Sequence, residues 1–180
     1  MAEGDELAAD VRGRSLPHLT LRSTTGEWIT LPALGHPRAV LYLYPMTGRP
    51  GVPLPDGWDE IPGARGCTAE ACAFRDLHAE VIEAGADIYG LSSQSTENQQ
   101  EAVARLNLPF PLLSDERLAL AEALGLPTFT VSAMRLFERL TMIVAGGVVE
   151  HVFHPVPAPD RHAEEVLTWL QREGGPTLPQ

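Results

Sequence analysis

Cysteine and basic residues are scarce in this sequence, and long apolar runs are missing. Only two cysteines occur among 180 residues, too few for the disulfide framework of a small secreted domain. Asp and Glu number 24 against 13 Lys and Arg, which gives a net charge of -11. Nucleic-acid binding needs clustered basic side chains and is therefore not expected. The longest apolar runs, such as residues 39–44, are far too short to span a bilayer.

The remaining composition is that of a globular protein with an ordinary core. Hydrophobic residues make up 44% and charged residues 21% of the chain, whose 180 residues suffice for one core. We therefore expect a single domain over residues 1–180. The first six residues are acidic where a secretory signal would be basic and then apolar, so a cytoplasmic location is expected. There, two nearby cysteines indicate redox chemistry or metal binding.

Hydrophobic periodicity and turn residues predict strands alternating with helices. A continuous apolar run before Pro45 is typical of a central strand buried on both faces. The alternation indicates an α/β fold, a mixed central sheet with helices on both faces. The predicted segments are a loose N-terminal tail (1–18), a hairpin around Thr25-Gly26 (20–22 and 28–31), the central strand (39–44), a long Pro- and Gly-rich loop (46–66), a helix (68–84), a strand (87–92), a helix begun by a Thr96 and Gln99 capping box (96–106), a strand (111–113), a helix from Ser114 or Asp115 to near Gly125, a hairpin around Gly146-Gly147 (140–145 and 148–153) and a last helix from Asp160.

Cys67 stands where a loop ends and a helix begins, with Gly66 before it and Cys72 in the next turns. Unpaired backbone N–H groups at a helix start favour a thiolate, which is the reactive form of cysteine. Because the chain is acidic, further stabilisation of a thiolate must come from nearby cations. Arg139 and Arg65 are the candidates.

The spacing of the two cysteines limits how they can react with each other. Residues five apart on an ideal helix have Cα atoms separated by roughly 8 to 9 Å, whereas a disulfide tolerates about 7 Å at most. If Cys67 and Cys72 bond to each other, at least one helical turn must unwind. Two other interpretations stay open: the pair fills a helix surface as small residues, or it belongs to a zinc site for which only His78 is near.

Residues 66–76, GCTAEACAFRD, resemble the active-site helix of peroxiredoxin Q, also called bacterioferritin comigratory protein. Three other segments are similar to the same family: LYLYP at 41–45, GLSSQS at 90–95 and PFPLLSD at 109–115. The similarity extends from about residue 19 to residue 156. It implies a thioredoxin-like fold and a thiol-dependent peroxidase that uses neither a metal nor an organic cofactor.

The resemblance also implies roles for individual residues. Cys67 would be the peroxidatic residue, oxidised to a sulfenic acid, and Cys72 the resolving residue that closes an intramolecular disulfide. Pro45 and Gly66 would help to bind the peroxide, which is hydrogen peroxide or an organic hydroperoxide. Thioredoxin or a similar dithiol protein would reduce the disulfide. We expect a monomer or a weak dimer without nucleic-acid or membrane partners.

Arg139 begins the segment RLTMIV, which is similar to a family strand that starts with an arginine beside the peroxidatic cysteine. Its guanidinium would stabilise the thiolate and hold the peroxide oxygens through fixed N–H donors. A plain surface charge is the other interpretation of Arg139. Arg135 is the alternative if the register is shifted.

The chain departs from the family pattern just before Cys67. The family places a proline and a threonine at short fixed distances before that cysteine, but here Ala64 stands in the threonine's place. Ala64 has no hydroxyl with which to donate a hydrogen bond. Thr47 is the first candidate for the missing hydroxyl and Thr68 is the second.

The departure is caused by residues 46–66, which form an insertion between Pro45 and the cysteine. Long loops without regular structure are commonly functional. The insertion is either a lid on the peroxide pocket, with Trp58 covering it, or a surface addition.

Two further functions fit the same pair of cysteines. A thiol–disulfide oxidoreductase on this fold acts on proteins and does not require Arg139 near Cys67. A redox sensor uses the disulfide to change shape and need not turn over. The position of Arg139 relative to the sulfur therefore bears on the first of these alternatives.

Overall fold

The computed structural model describes residues 3–35 and 37–173 of the chain. Every helix in this part is too short or too polar to cross a lipid bilayer. The helices are α1 (Glu3–Val11), α2 (Cys67–Asp76), α3 (His78–Glu83), α4 (Thr96–Leu106), α5 (Ala119–Leu124) and α6 (His162–Glu173), and the strands are β1 (Thr20–Ser23), β2 (Trp28–Thr30), β3 (Arg38–Leu43), β4 (Ala86–Ser92), β5 (Leu112–Ser114), β6 (Thr128–Val131), β7 (Met134–Phe137), β8 (Leu140–Ala145) and β9 (Val148–Phe153).

Seven strands form one mixed sheet in the order β2-β1-β5-β4-β3-β8-β9. Strand β3 lies in the interior of this sheet, parallel to β4 and antiparallel to β8. All its residues from 39 to 43 are buried, as expected for a strand that is covered on both faces. The predicted central strand is confirmed, and so are the hairpins β1–β2 and β8–β9.

Helices cover both faces of the sheet. One hydrophobic core lies beneath α1 and α5 and includes Val11 and Leu120. The core on the opposite face is covered by α2, α3, α4 and α6, and includes Phe74 and Val166. The predicted α/β architecture is confirmed. Cys67 belongs to the second core, together with Tyr44, the residue that follows β3.

The prediction of a loose tail over residues 1–18 is wrong for the residues described. Residues Glu3–Val11 form α1. Val11 is fully buried in the core, and the partly buried Leu7 packs against the same core. These two apolar positions are four residues apart and therefore share one helix face. Arg14 then donates hydrogen bonds to the carbonyls at the end of α5. The segment is docked by tertiary contacts that its acidic composition did not indicate.

Two other local predictions need correction. The helix expected over 68–84 is divided at Leu77, whose φ of -103° and ψ of 10° separate α2 from α3. The hairpin β6–β7 was not predicted at all. Its turn residues Ser132 and Ala133 both have positive φ, 47° and 62°, as a two-residue hairpin turn requires. Gly or Asn normally signals such a turn, and neither is present.

The starts of α4 and α5 differ in detail from the predictions. The Ser95 side chain, and not that of Thr96, accepts the hydrogen bond from the Asn98 N–H at the start of α4. Gln99 is buried and donates instead to Ser92 Oγ and a carbonyl of β5. The helix predicted to start from Ser114 or Asp115 begins later, at Ala119, although the Asp115 carboxylate accepts from the backbone N–H groups of Ala119 and Leu120 at 3.0 and 2.9 Å.

Candidate active site

Cys67 is the first residue of α2 and is only 4% exposed. Gly66 precedes it with a φ of 110°, a backbone conformation that residues with a side chain rarely adopt. A Cβ at Gly66 would also lie 2.9 Å from the ring of Pro159. Glycine at this position therefore lets the loop pack closely against Pro159 while α2 starts at the cysteine.

The guanidinium of Arg139 lies against the cysteine sulfur. Arg139 directly precedes β8 and is 3% exposed, and its Nη2 donates to Cys67 Sγ at 3.1 Å. Its Nε donates to the carbonyl of residue 63, and Nη2 also contacts the carbonyls of residues 64 and 65. A planar guanidinium with several fixed donors can hold the sulfur and the preceding loop at the same time. The predicted neighbours Cys67 and Arg139 are brought together.

The other two arginines considered from the sequence lie elsewhere. The Arg65 side chain is 78% exposed and pairs with Asp59 at 3.5 Å. Arg135 donates to Thr128 Oγ1 across the β6–β7 hairpin. Because neither of these contacts involves the cysteine, Arg139 is the cation that the structure gives to the sulfur.

Glu70 is a buried carboxylate that the sequence analysis missed. Its Oε1 accepts from Arg139 Nη1 at 2.7 Å, and its side chain has no exposed area. Within the described residues, Glu70 Oε2 has no hydrogen-bond partner. Burial raises the pKa of Glu70 to about 7, against the lowering effect of Arg139. The sequence contained one signal that could have identified Glu70: it is a carboxylate three residues after Cys67, and residues three apart lie on the same helix face.

The ionisation of Cys67 is set by opposing effects. Burial raises the pKa of the thiol, and the Arg139 charge beside it acts in the opposite direction. The nearby Glu70 raises this pKa further, whereas a hydrogen bond from the Met46 backbone lowers it. From the sequence, the helix start and a nearby cation were expected to stabilise a thiolate. Burial was not considered, although it has the largest effect on the pKa of Cys67. Reactivity therefore depends on the Arg139 contact.

A cavity of about 440 Å³ opens beside the cysteine and is formed largely by the insertion. Met46, Leu54 and Trp58 line it on the insertion side. Trp58 is 4% exposed and packs with Val131 and Leu136 of the β6–β7 hairpin. The insertion is therefore anchored to the rest of the fold and forms a wall of the cavity at the sulfur.

The Thr47 side chain is hydrogen-bonded to Gln94, which does not line the cavity beside the cysteine. Its hydroxyl donates to Gln94 Oε1 at 3.3 Å, and it is 6% exposed. The predicted role of this hydroxyl beside the sulfur stays a prediction. Thr68, the second candidate, lines the cavity next to Cys67. Pro45 is buried two residues after the end of β3.

Both cysteines are free thiols in the folded helix, and Cys72 is partly buried. They are five residues apart on α2, so their Cα atoms are separated by roughly 8 to 9 Å in regular helix geometry. Among the described residues, no group of three or more His, Cys, Asp or Glu side chains is placed to hold a metal.

A buried histidine behind Arg139 was also missed. The ring of His162, at the start of α6, is hydrogen-bonded through Nε2 to Thr141 Oγ1 at 2.7 Å. Burial, together with the charge of Arg139, lowers the pKa of His162 to about 4. The imidazole is therefore neutral at physiological pH. Its ring packs edge-on against Phe74 and Phe153.

The chain is similar to known proteins in both sequence and fold. The profile of the Redoxin family matches residues 11–167. Peroxiredoxin Q, chloroplastic, of Sedum lineare is 31% identical over 160 residues, which cover 89% of this chain and 77% of that protein. The crystal structure of peroxidoxin BcpB from Mycobacterium tuberculosis has a TM-score of 0.70 and 27% identity, covering 89% of this chain and 96% of that chain. A bacterioferritin comigratory protein of Xanthomonas campestris, described as having alkyl peroxide reduction activity, gives a TM-score of 0.69 at 28% identity, covering 86% and 91%.

Proposed function

The chain belongs to the peroxiredoxin Q subfamily of thiol-dependent peroxidases, within the Redoxin family, and on that premise we propose that Cys67 is the peroxidatic residue and Cys72 the resolving residue. The observation that carries this assignment is the 3.1 Å hydrogen bond from Arg139 Nη2 to Cys67 Sγ. It supports a peroxidase over a protein oxidoreductase, which does not require a cation there. We assign Arg139 the stabilisation of the thiolate and of the peroxide oxygens.

The proposed reaction proceeds in two covalent steps. The Cys67 thiolate attacks the terminal peroxide oxygen, the O–O bond breaks, and the departing alkoxide or hydroxide takes up a proton, which leaves a sulfenic acid. The Cys72 thiolate then attacks the Cys67 sulfur, the S–O bond breaks as the disulfide forms, and the departing hydroxide takes up a proton to become water. A dithiol protein of the thioredoxin type reduces that disulfide and is itself oxidised. Pro45 and Gly66 are assigned to shaping the peroxide site.

Trapping the sulfenic acid tests this assignment. In a thioredoxin-coupled assay, we expect the wild type to consume hydrogen peroxide or an organic hydroperoxide continuously. Cys72→Ser should lose sustained turnover but still react once, leaving a sulfenic acid on Cys67 that a dimedone probe labels in mass spectrometry. A wild type that reacts once and stops would indicate a redox sensor instead. Faster oxidation by protein disulfides than by peroxide would indicate a thiol–disulfide oxidoreductase.

Disulfide formation should unwind the start of α2. The folded helix holds the two cysteines too far apart for a disulfide, by roughly 1 to 2 Å between Cα atoms. We expect one equivalent of peroxide to remove amide-exchange protection from residues 70–73, whose N–H groups donate to the carbonyls of Gly66 and of the first turn of α2. Cys72→Ser is the matched control, because it is oxidised without forming the disulfide and should keep that protection. Unchanged exchange in the oxidised wild type would contradict the intramolecular disulfide.

Three expectations complete the proposal. We predict that residues 1–180 form one domain. We also predict a monomeric or weakly dimeric state and a cytoplasmic location. The Sedum lineare relative is named as chloroplastic, so the compartment requires a direct measurement such as cell fractionation. Sedimentation at several protein concentrations measures the oligomeric state.

A further inference from the structure

We infer that Leu54 is a specificity-determining residue: it extends the apolar wall of the cavity at Cys67, against which the hydrocarbon part of an organic hydroperoxide binds while its peroxide group meets the sulfur. Hydrogen peroxide has no such part and gains nothing from this wall. The inference rests on the proposed function, because it concerns the peroxide cavity of the same cysteine. It goes further by assigning a preference between two classes of peroxide to one side chain.

The cavity beside the sulfur has an apolar wall. The side chains that the insertion contributes to this wall are apolar with one exception, and they are those of Met46, Leu54, Trp58, Ala64 and Arg65. The exception, Arg65, is exposed and pairs with Asp59. The cavity volume of about 440 Å³ lies in the range of about 300 to 1,000 Å³ that is typical of sites for small organic molecules. The site therefore has room for more than the two oxygen atoms of hydrogen peroxide.

Leu54 differs from its apolar neighbours in this wall by being exposed. Trp58 and Ala64 are buried, and the Trp58 ring lies 6.2 Å from that of Phe129, centroid to centroid. Their apolar surface is already covered by the fold itself. Leu54 lines the cavity but is 42% exposed, so much of its side chain is in contact with water. Covering that surface with a hydrocarbon group is favourable, because apolar area is removed from water.

The contacts of Gly48 fix the position of Leu54. A Cβ at Gly48 would lie 3.4 Å from Leu54 Cδ2, so the leucine packs directly over this glycine. The Gly48 carbonyl accepts a hydrogen bond from Arg105 Nη2 at 2.8 Å. Arg105 belongs to α4 and also pairs with Glu101 of that helix at 2.7 Å. Leu54 is therefore presented to the cavity by a segment that is tied to α4.

Val52 provides a matched control within the insertion. It is also apolar and is 58% exposed, but it lines a neighbouring cavity with Asn98 and Glu101 of α4 and not the one at Cys67. Leu54 lines both cavities. Replacing either residue by Ser removes apolar surface from the same exposed segment without opening a buried core. A difference between Leu54→Ser and Val52→Ser therefore separates contact with the peroxide from a general change in the insertion.

The test compares two peroxides by stopped-flow mixing, which gives the second-order rate constant for oxidation of Cys67. We expect Leu54→Ser to lower the rate constant for cumene hydroperoxide about tenfold, since one methylene group in an apolar pocket changes discrimination by about 10- to 200-fold. The rate constant for hydrogen peroxide should stay close to the wild-type value, because this molecule has no apolar surface to bury. Val52→Ser should leave both rate constants close to those of the wild type.

A binding measurement separates this inference from the proposed function. In Cys67→Ser, we expect titration with 2-phenylpropan-2-ol, the alcohol formed from cumene hydroperoxide, to shift the methyl resonances of Leu54 in a saturable way. The methyl resonances of Val52 should stay in place. This measurement requires no reaction at the cysteine.

Equal losses with both peroxides in Leu54→Ser would overturn the inference, because the residue would then act on the cysteine itself. An unchanged rate constant for cumene hydroperoxide would overturn it too, and so would an effect of Val52→Ser as large as that of Leu54→Ser. Failure of the wild type to react with either peroxide would count against the proposed function. The alcohol titration would then decide on the inference, and unshifted Leu54 methyl resonances would refute it.

Discussion

Replacing Cys67 by Ser is expected to abolish peroxide reduction, with a loss of at least about a thousandfold. A serine hydroxyl remains protonated at neutral pH, so no comparable nucleophile is left. The two side chains are similar in size, and the position is 4% exposed, so the fold should tolerate the change. Stopped-flow peroxide consumption measures the effect, and circular dichroism verifies that α2 and the sheet are retained.

The control for this substitution is Cys72→Ser, which should keep the first oxidation at a similar rate. The comparison separates the two cysteines, because Cys67 is the one whose sulfur accepts a hydrogen bond from Arg139. If Cys67→Ser retained rapid oxidation while Cys72→Ser lost it, the roles of the two residues would have to be exchanged. Loss of the first step in both variants would point to a reaction that requires the dithiol.

Replacing Arg139 by Met is expected to lower the peroxide rate constant about a hundredfold or more at neutral pH. The guanidinium is the group that opposes the effect of burial on the Cys67 pKa. Without it this pKa rises, so the rate constant should recover only as the pH is raised. The change also leaves Glu70 buried without its partner, and removing one member of a buried pair costs about 3 to 5 kcal/mol. Rate profiles against pH and urea unfolding measure the two effects.

Glu70→Gln is the matched control for the electrostatic part of this prediction. Its amide oxygen can still accept from Arg139 Nη1, but the negative charge that raises the Cys67 pKa is removed. The pH profile of the rate constant should therefore move toward lower pH, opposite to its shift in Arg139→Met. A profile that moves the same way in both variants would contradict the charge balance described here. It would indicate that the variants act through packing alone.

The features set by residues near each other in the sequence were predicted well. The apolar run before Pro45 becomes the buried strand β3, and Gly146-Gly147 turns the chain between β8 and β9. The position of Cys67 at a helix start and its distance from Cys72 along α2 followed from the same local pattern. These signals are reliable because periodicity, turn preference and helix geometry depend on neighbours only a few residues away.

The predictions of local structure were wrong where contacts with distant segments outweighed periodicity and turn preference. The segment Glu3–Val11 is helical because its apolar positions are docked on a core formed by later residues. The turn at Ser132 and Ala133 adopts positive φ without glycine, which no turn preference favours. The hairpin that it closes packs against Trp58 of the insertion. Packing of distant segments decided both features.

The sequence by itself determined the family resemblance, the two cysteines, the arginine that precedes β8, and most of the strands and helices around them. Only the tertiary structure decided how charge is distributed at the sulfur. Arg139 reaches Cys67 across 72 positions, Glu70 is buried with it, and Gln94 binds Thr47 across 47 positions. The physical reason is that burial and a few hydrogen bonds control ionisation, and these arise only after the chain has closed its sheet.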